Sequence, residues 1–461
     1  MSLSADAEPQ GPLQRHQGAT GRLGLFEFIR TMRDNVIALY PPYIFDKDYS
    51  WRRIGLQPFI LINRPDWIHE ILVGKPDIYV KGRLNRRILG PALGNGLLTA
   101  EGEFWKRQRR IAAPAFHYKR LRVLAEIMVD CTLQTADRWE ELADTGRHVD
   151  VAREMMRLTM EIVARTLFSR DIAGSIDELG KAVTTLIEGF GRTPLVDMLG
   201  LPDWLPRFRD PLAKEALKVL DRMIFDLIET RRAASEPGED LLQMLLDARD
   251  PETGEGMTDA QLRDEIVTLF AAGHETTAQA LTWAFYLLDQ HPDELDRMVA
   301  EVDAILGDRR PTFDDLHHLQ RVRMVFEETL RLYPPAFTIS RVADTADRLG
   351  GELSIPKGAY VSISPYITHR NPRIWPDPER FNPERFADER VAARHKHAYL
   401  PFGSGPRICI GSGFALTEGR LILALLSRRF RLRLKHGHPV QPQGIVTLRP
   451  RFGMRMSIER R

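Results

Sequence analysis

The sequence predicts a mainly α-helical protein with a minor β portion, and three observations carry that expectation. Apolar residues recur with the 3.6-residue helix period over residues 121–141, 151–168, 213–234 and 292–306. Strand signals are few and short: residues 58–62, and residues 359–364 behind the turn Pro356-Lys357-Gly358. A third stretch, residues 258–290, is apolar on nearly every side and carries helix signals at both ends.

Taken in chain order, residues 1–20 are polar and read as a flexible lead-in, with none of the features of a signal peptide. The remainder, residues 21–461, reads as one catalytic domain. Residues 23–45 are apolar in part, but Glu27, Arg30, Arg33 and Asp34 interrupt them. No apolar run reaches the ~20 residues needed to cross a bilayer, so no transmembrane segment is expected. The chain of 461 residues has a formal net charge of +2, which gives no global argument for nucleic acid or an anionic membrane. Its two cysteines, Cys131 and Cys409, cannot build a disulfide framework or a four-cysteine zinc site, and a cytoplasmic location is expected. Residues 190–211 hold four prolines and two glycines and read as a mobile connection between helices.

The stretch 258–290 predicts a helix of roughly 50 Å at 1.5 Å per residue. Thr258 and Gln261 fit a capping box, and Pro292 closes the far end. Leu262, Ile266, Phe270, Trp283 and Phe285 mark it as an interior helix. Its centre nevertheless reads Ala271-Ala272-Gly273-His274-Glu275-Thr276-Thr277-Ala278. A buried acid and two threonines each need partners, and glycine costs about 1 kcal/mol relative to alanine. One reading is a polar kink held by buried water. The other is a ligand lying against small residues, with Glu275 and Thr276 handling protons beside it.

Cys131 sits on an apolar helical stretch and reads as a buried small hydrophobe. Cys409 stands in Phe402-Gly403-Ser404-Gly405-Pro406-Arg407-Ile408-Cys409-Ile410-Gly411, with a helix expected behind it. Glycine turns and a helix N-terminus would aim backbone N–H groups at the sulfur and favour a thiolate. Such a thiolate serves either as a covalent nucleophile or as a metal ligand. A nucleophile needs a histidine base, and spacing singles out none of the 13 histidines. A lone protein ligand implies that another group completes the coordination, as haem does.

Phe402-Gly403-x-Gly405-x-Arg407-x-Cys409-x-Gly411 resembles, position for position, the haem-binding loop of the cytochrome P450 monooxygenases. Further motifs stand in the family's order from about Gly96 to the C-terminus. Glu328-x-x-Arg331 and Pro383-Glu384-Arg385-Phe386 are similar to the E-x-x-R and P-E-R-F segments, whose Glu328, Arg331 and Arg385 would hold the fold without doing chemistry. Trp105-x-x-x-Arg109 resembles the W-x-x-x-R helix that reaches a haem propionate. Ala272-Gly273-His274-Glu275-Thr276-Thr277 resembles the oxygen-binding A-G-x-[D/E]-T-[T/S] segment.

The resemblance implies a helix-rich triangular prism with haem b (iron protoporphyrin IX) between the long helix and the helix after Cys409. It implies Cys409 as the iron ligand, with Phe402, Gly403, Trp105, Arg109, Arg341 and Arg407 around the cofactor and the arginines on its propionates. Ala272 and Gly273 would leave room for oxygen and substrate, and Thr276 with Glu275 would deliver protons. O2, a small hydrophobic substrate such as a fatty acid or terpenoid, and a ferredoxin or flavodoxin-type electron donor with its reductase would be the partners. The protein is expected to be a monomer. About 30 residues follow the cysteine helix, too few for a fused reductase.

Lys106, Arg107, Arg110, Lys119 and Arg120 are the expected docking cations. Substrate contacts are expected from residues 79–98, 190–211, 336–339 and 445–448 and from the long helix. Arg83, Arg86 or Arg87 are candidates for a substrate carboxylate. Two alternatives remain on sequence grounds: a peroxide-driven or rearranging haem-thiolate enzyme, and a haem-binding sensor or carrier.

Overall fold

The computed structural model describes residues 24–54, 57–168, 178, 180–182, 185–186, 211–235, 238 and 240–461. The lead-in 1–20 and all but the last residue of the proline-rich stretch 190–211 lie outside the described residues.

Helices follow the apolar period. Those that position the site are α1 (Leu25–Asp34), α2 (Arg83–Leu93), α3 (Gly102–Ala112), α4 (Tyr118–Glu140), α5 (Val151–Phe168) and α6 (Pro211–Ala233). The others are α7 (Asp259–Gln290), α8 (Pro292–Leu306), α9 (Gln320–Leu332) and α10 (Ser412–Arg429). Proline opens both α6 and α8, where its missing N–H and fixed φ cost nothing.

The central helix, α7, runs unbroken for 32 residues. The Thr258 hydroxyl accepts from the Gln261 amide at 3.3 Å, and the Gln261 side chain accepts from the Thr258 N–H at 2.9 Å. Its polar centre stays within the helix. The Thr276 and Thr282 hydroxyls return to the carbonyls one turn back, Ala272 at 2.8 Å and Ala278 at 2.7 Å. The His274 carbonyl accepts from the Thr159 hydroxyl of α5 at 2.8 Å. Gly273 is explained by the same crossing: a Cβ there would lie 3.0 Å from Val163 Cγ2. Absence of a side chain at Gly273 lets α5 and α7 pack closely.

The main sheet has five strands in the order β1-β2-β5-β4-β3: β1 (Tyr49–Ile54), β2 (Gln57–Ile62), β3 (Tyr79–Val80), β4 (Ile339–Ala343) and β5 (Tyr360–Ile363). β2 and β5 are parallel and the other pairs antiparallel, with Ser340 opposite Ser362. Ile60, Ile62, Val361 and Ile363 face a compact apolar core with Trp67. A hairpin of β6 (Pro442–Gly444) and β7 (Leu448–Pro450) lies against α7, where the Trp283 indole donates to the Leu448 carbonyl at 3.2 Å.

Under α9 lies a closed ionic network. Arg331 and Glu328, both fully buried, pair in bidentate fashion at 2.7 and 2.8 Å. The remaining Arg331 donors reach the carbonyls of His369, Pro378 and Arg380 at 2.7 to 3.1 Å. All five N–H groups of the guanidinium are thereby used. The Asn382 amide donates to Glu328 at 2.8 Å, and Arg385 stands 3.5 Å from the same carboxylate.

Candidate active site

A cavity of about 1160 Å³ is walled by α7 on one side and by the cysteine loop on another. The loop has its shape for a steric reason. Gly403 and Gly405 take φ of +75° and +73°, and a Cβ on Gly405 would stand 1.9 Å from the Leu72 carbonyl oxygen. The Cys409 amide then closes the loop by donating to the Phe402 carbonyl at 2.9 Å.

Cys409 lines the cavity and is exposed toward it. Protein nevertheless surrounds it closely enough that burial pushes its thiol up. The Gly411 N–H and the Arg109 charge oppose that rise without overcoming it. The loop N–H therefore acts in the direction expected from the sequence, toward the thiolate, against the larger effect of burial. A metal ion is the partner that deprotonates such a thiol. Cys131 is fully buried on α4 and pushed up to about 12 by desolvation, which keeps it inert.

One edge of the cavity concentrates positive charge. Lys81, Arg109, Arg341 and Arg407 all line it, and Glu101 is the carboxylate that Lys81, Arg341 and Arg407 meet among the described residues. Arg407 donates to Glu101 and to the Ala100 carbonyl, each at 2.8 Å, and its guanidinium lies 3.7 Å over the Trp105 ring. Arg341 is 8% exposed and donates to the Ser340 carbonyl at 2.8 Å. Arg109 has no hydrogen-bond or ion-pair partner among the described residues.

Lys81 was expected only within the substrate-contact segment 79–98, not among the cations of this edge. Its ammonium donates to the Leu98 carbonyl at 2.6 Å. Burial first, then Arg407, Arg341 and Arg109, push it down to about 7, with Glu101 opposing. No local motif marks Lys81, because its neighbours in space come from α3, β4 and the cysteine loop. Four cations along one edge with a single carboxylate among them are poised for an anionic ligand, and two further carboxylates are what this edge can balance. Haem, with its two propionates, fits that donor set and the thiol at Cys409.

On the opposite wall, Ala272 is exposed to the cavity and Thr276 lines it, while Glu275 is 6% exposed. Ala272 opens the wall as expected. Gly273 also lines the cavity, but its missing side chain would point at Val163, so its service is to helix packing. The Glu275 carboxylate accepts from the Thr447 hydroxyl at 2.6 Å. Thr447, between β6 and β7, was expected among substrate contacts and not as a partner of the acid. Behind Glu275, burial pushes His274 down, and its Nδ1 meets the Phe270 carbonyl at 2.8 Å. The Thr277 hydroxyl is buried beside Glu418 of α10, whose carboxyl burial pushes up to about 8.

The expected contact segments line the cavity where they are described: Lys81, Leu89 and Leu97, Ala336 to Ile339, and Ile445 to Thr447. Leu448 is excluded, being fully buried beneath Trp283. Arg83, Arg86 and Arg87 do not line it; Arg33, Arg52 and Arg53 do, from α1 and β1. The loop behind α2 is clamped to the start of α7. Asn95 and Leu97 amides donate to Asp264 at 2.7 Å and Glu265 at 3.0 Å, and Arg263 donates to the Ala92 carbonyl at 3.1 Å.

Of the expected docking cations, three are committed locally. Lys106 pairs with Glu103 at 2.8 Å, Arg107 with Glu255 at 3.2 Å, and Arg110 with Glu252 at 2.8 Å and Asp250 at 3.1 Å. Lys119 and Arg120 are exposed, without an ion-pair partner among the described residues. No helix among the described residues is long and apolar enough to cross a membrane.

The cytochrome P450 family model matches residues 45–454. The chain is 38% identical to cyclooctatin synthase of Streptomyces melanosporofaciens, over 94% of each chain. It is 37% identical to cyclooctat-9-en-7-ol 5-monooxygenase of the same organism, over 83% of this chain and 82% of the relative. A cytokinin hydroxylase of Arabidopsis thaliana is 33% identical over 91% of this chain and 83% of the relative. The crystal structure of the cytochrome P450DA heme domain superposes with a TM-score of 0.80 at 27% identity, covering 90% of each chain.

Proposed function

The chain belongs to the cytochrome P450 family and is a monooxygenase, and on that premise we propose that it inserts one oxygen atom of O2 into a cyclic terpenoid. The single observation that carries this reading is the cavity itself. It places a cysteine thiol, an acid–threonine pair and a cation-rich edge around one largely apolar space. The names of the two Streptomyces relatives support a cyclic skeleton over a straight fatty acid. Residues 21–461 serve as one catalytic domain, which we place in the cytoplasm as a monomer.

The proposed cofactor is haem b. It supplies, when bound, the activation of dioxygen and the transfer of an oxygen atom to carbon. Cys409 is its iron ligand, with Phe402 and Gly403 shaping the loop beneath it. Arg109, Arg341, Arg407 and Lys81 hold its carboxylates, and Trp105 braces Arg407. Ala272 leaves space above it. The Thr276 hydroxyl, bonded to the Ala272 carbonyl, can turn its proton toward the cavity. Glu275 receives protons from outside and passes them to Thr276, and the Thr447 hydroxyl fixes which way the acid points. Electrons come from a separate ferredoxin or flavodoxin-type donor with its reductase, docking on the thiol face beside Lys119 and Arg120.

The reduced protein with carbon monoxide should show the red-shifted Soret band of thiolate-ligated haem, and Cys409→Ser should lose it. Turnover of a cyclic terpenoid with ferredoxin, its reductase and NAD(P)H should give a product heavier by one oxygen atom. A band that survives in the serine variant overturns the ligand. Product formed only with peroxide overturns the electron route.

A further inference from the structure

One wall of the cavity departs from the apolar character of the rest. Strand alternation gives β5 two faces: Val361 and Ile363 are fully buried in the core with Trp67, while Tyr360 and Ser362 face the cavity. β4 follows in register, so Ser340 stands beside Ser362 on that face. Neighbouring positions on the wall are Phe59 and Leu61, as an apolar chamber requires. Alanine or valine would complete such a surface at 340 and 362, and a hydroxyl against hydrocarbon is costly unless something bonds it.

Thr338 supplies the partner. It is exposed toward the cavity, and its Oγ1 lies 3.1 Å from Ser362 Oγ, itself 3% exposed. The Tyr40 phenol, 9% exposed, sits beside Thr338 and Ser364 and also lines the cavity. A hydroxyl offers one hydrogen and two lone pairs. Tyr40 also hydrogen-bonds Thr338 and Ser364, and Ser364 donates to the Phe337 carbonyl, so the hydrogens of this group are committed and its unused lone pairs are what it offers, which matches the donor of an alcohol. The three side chains are neutral, so an alcohol suits them better than a carboxylate.

We propose that Thr338 and Ser362, with Tyr40 beside them, form a subsite for a hydroxyl group that the substrate carries before this enzyme oxidises it. The inference rests on reading the cavity as the chamber of a cyclic terpenoid, and it narrows that class to terpenoid alcohols. The subsite orients the substrate by its existing oxygen, presenting a distant carbon to the centre between Cys409 and Thr276.

The test uses the holoenzyme and a matched pair, the tricyclic alcohol cedrol and its parent hydrocarbon cedrane. Binding is read by calorimetry and by the spin-state shift of the haem. The wild type should bind cedrol about tenfold more tightly than cedrane, the difference one good hydrogen bond makes. Thr338→Val should bring that ratio below about twofold, Ser362→Ala should act in the same direction, and Thr338→Ser should keep the preference. Equal binding of the two compounds by the wild type, or a preference that survives Thr338→Val, overturns the subsite and leaves the terpenoid reading standing. If neither compound binds by either measurement, both readings fall together.

Discussion

Two ionic clusters, one fully buried under α9 and one half-buried at the cavity edge, differ in whether their charges are answered. Around Glu328, every Arg331 donor has a protein acceptor, and none of Glu328, Arg331 and Arg385 touches the cavity. Around Glu101, three of four cavity-lining cations share one carboxylate, and the fourth, Arg109, has none among the described residues. The first is closed, so it serves the fold. The second is incomplete within the protein, and incompleteness of this kind points to a ligand of opposite charge. The surplus of one sign separates them.

The comparison breaks most visibly at the closed cluster. Glu328→Gln leaves Arg331 buried with a neutral partner, and breaking a fully buried pair costs about 3–5 kcal/mol. Urea denaturation should report that loss with or without haem. Unchanged stability would mean that the network is incidental to the fold.

The open cluster should respond the other way. Arg109→Ala and Arg407→Ala should each weaken haem uptake by about tenfold or more, since hydrogen bonds to charged groups contribute about 1.5–3 kcal/mol. The haem-free protein should keep its stability in Arg109→Ala, because that arginine has nothing in the protein to lose. Haem titration followed by absorbance checks the first outcome and thermal melting the second.

A smaller and subtler effect belongs to Lys81. Its folded value of about 7 lies below the unfolded lysine value near 10.4. Between those limits the unfolded chain holds a proton that the folded chain has released. Stability of the haem-free protein therefore rises with pH across about 7 to 10, and is flat below that window. Lys81→Met should flatten the slope. An anion bound at this edge should return the proton, so haem uptake near pH 8.5 should draw up to about one proton from the buffer. Calorimetry in two buffers of different ionisation heat measures that uptake; no uptake would separate Lys81 from the propionates.

What was legible in the sequence divides along the same line as the two clusters. Spacings set within one element could be read: Glu328 and Arg331 on one helix turn, Ala272 to Thr277 on α7, Trp105 and Arg109 on α3. The helix ends at Val151, Phe168, Pro292 and Leu306 followed from period and punctuation. What escaped was set by approach between distant segments. Gly405 is glycine because the Leu72 carbonyl comes within reach of its Cβ, and nothing near residue 405 announces residue 72. Gly273 read as space for oxygen; it lines the cavity, and a Cβ there would also press on Val163, a contact with no local signal. Thr447 read as a wall residue and proved to hold Glu275, 172 positions away. Glu101, and the place of Lys81 beside it, escaped for the same reason.

The unbroken α7 serves as a common ruler for the cavity. Near its start, Arg263, Asp264 and Glu265 grip residues 92–97; at its middle stand Ala272, Glu275 and Thr276; further on, Trp283 grips the hairpin at Leu448. Each residue of an α-helix adds 1.5 Å and turns the next by about 100°. One residue inserted between Glu265 and Ala272 would swing Thr276 off the cavity wall, even if every side chain survived. The spacing between these grips is thus itself a specification, as binding on this chain as the identity of any residue within it.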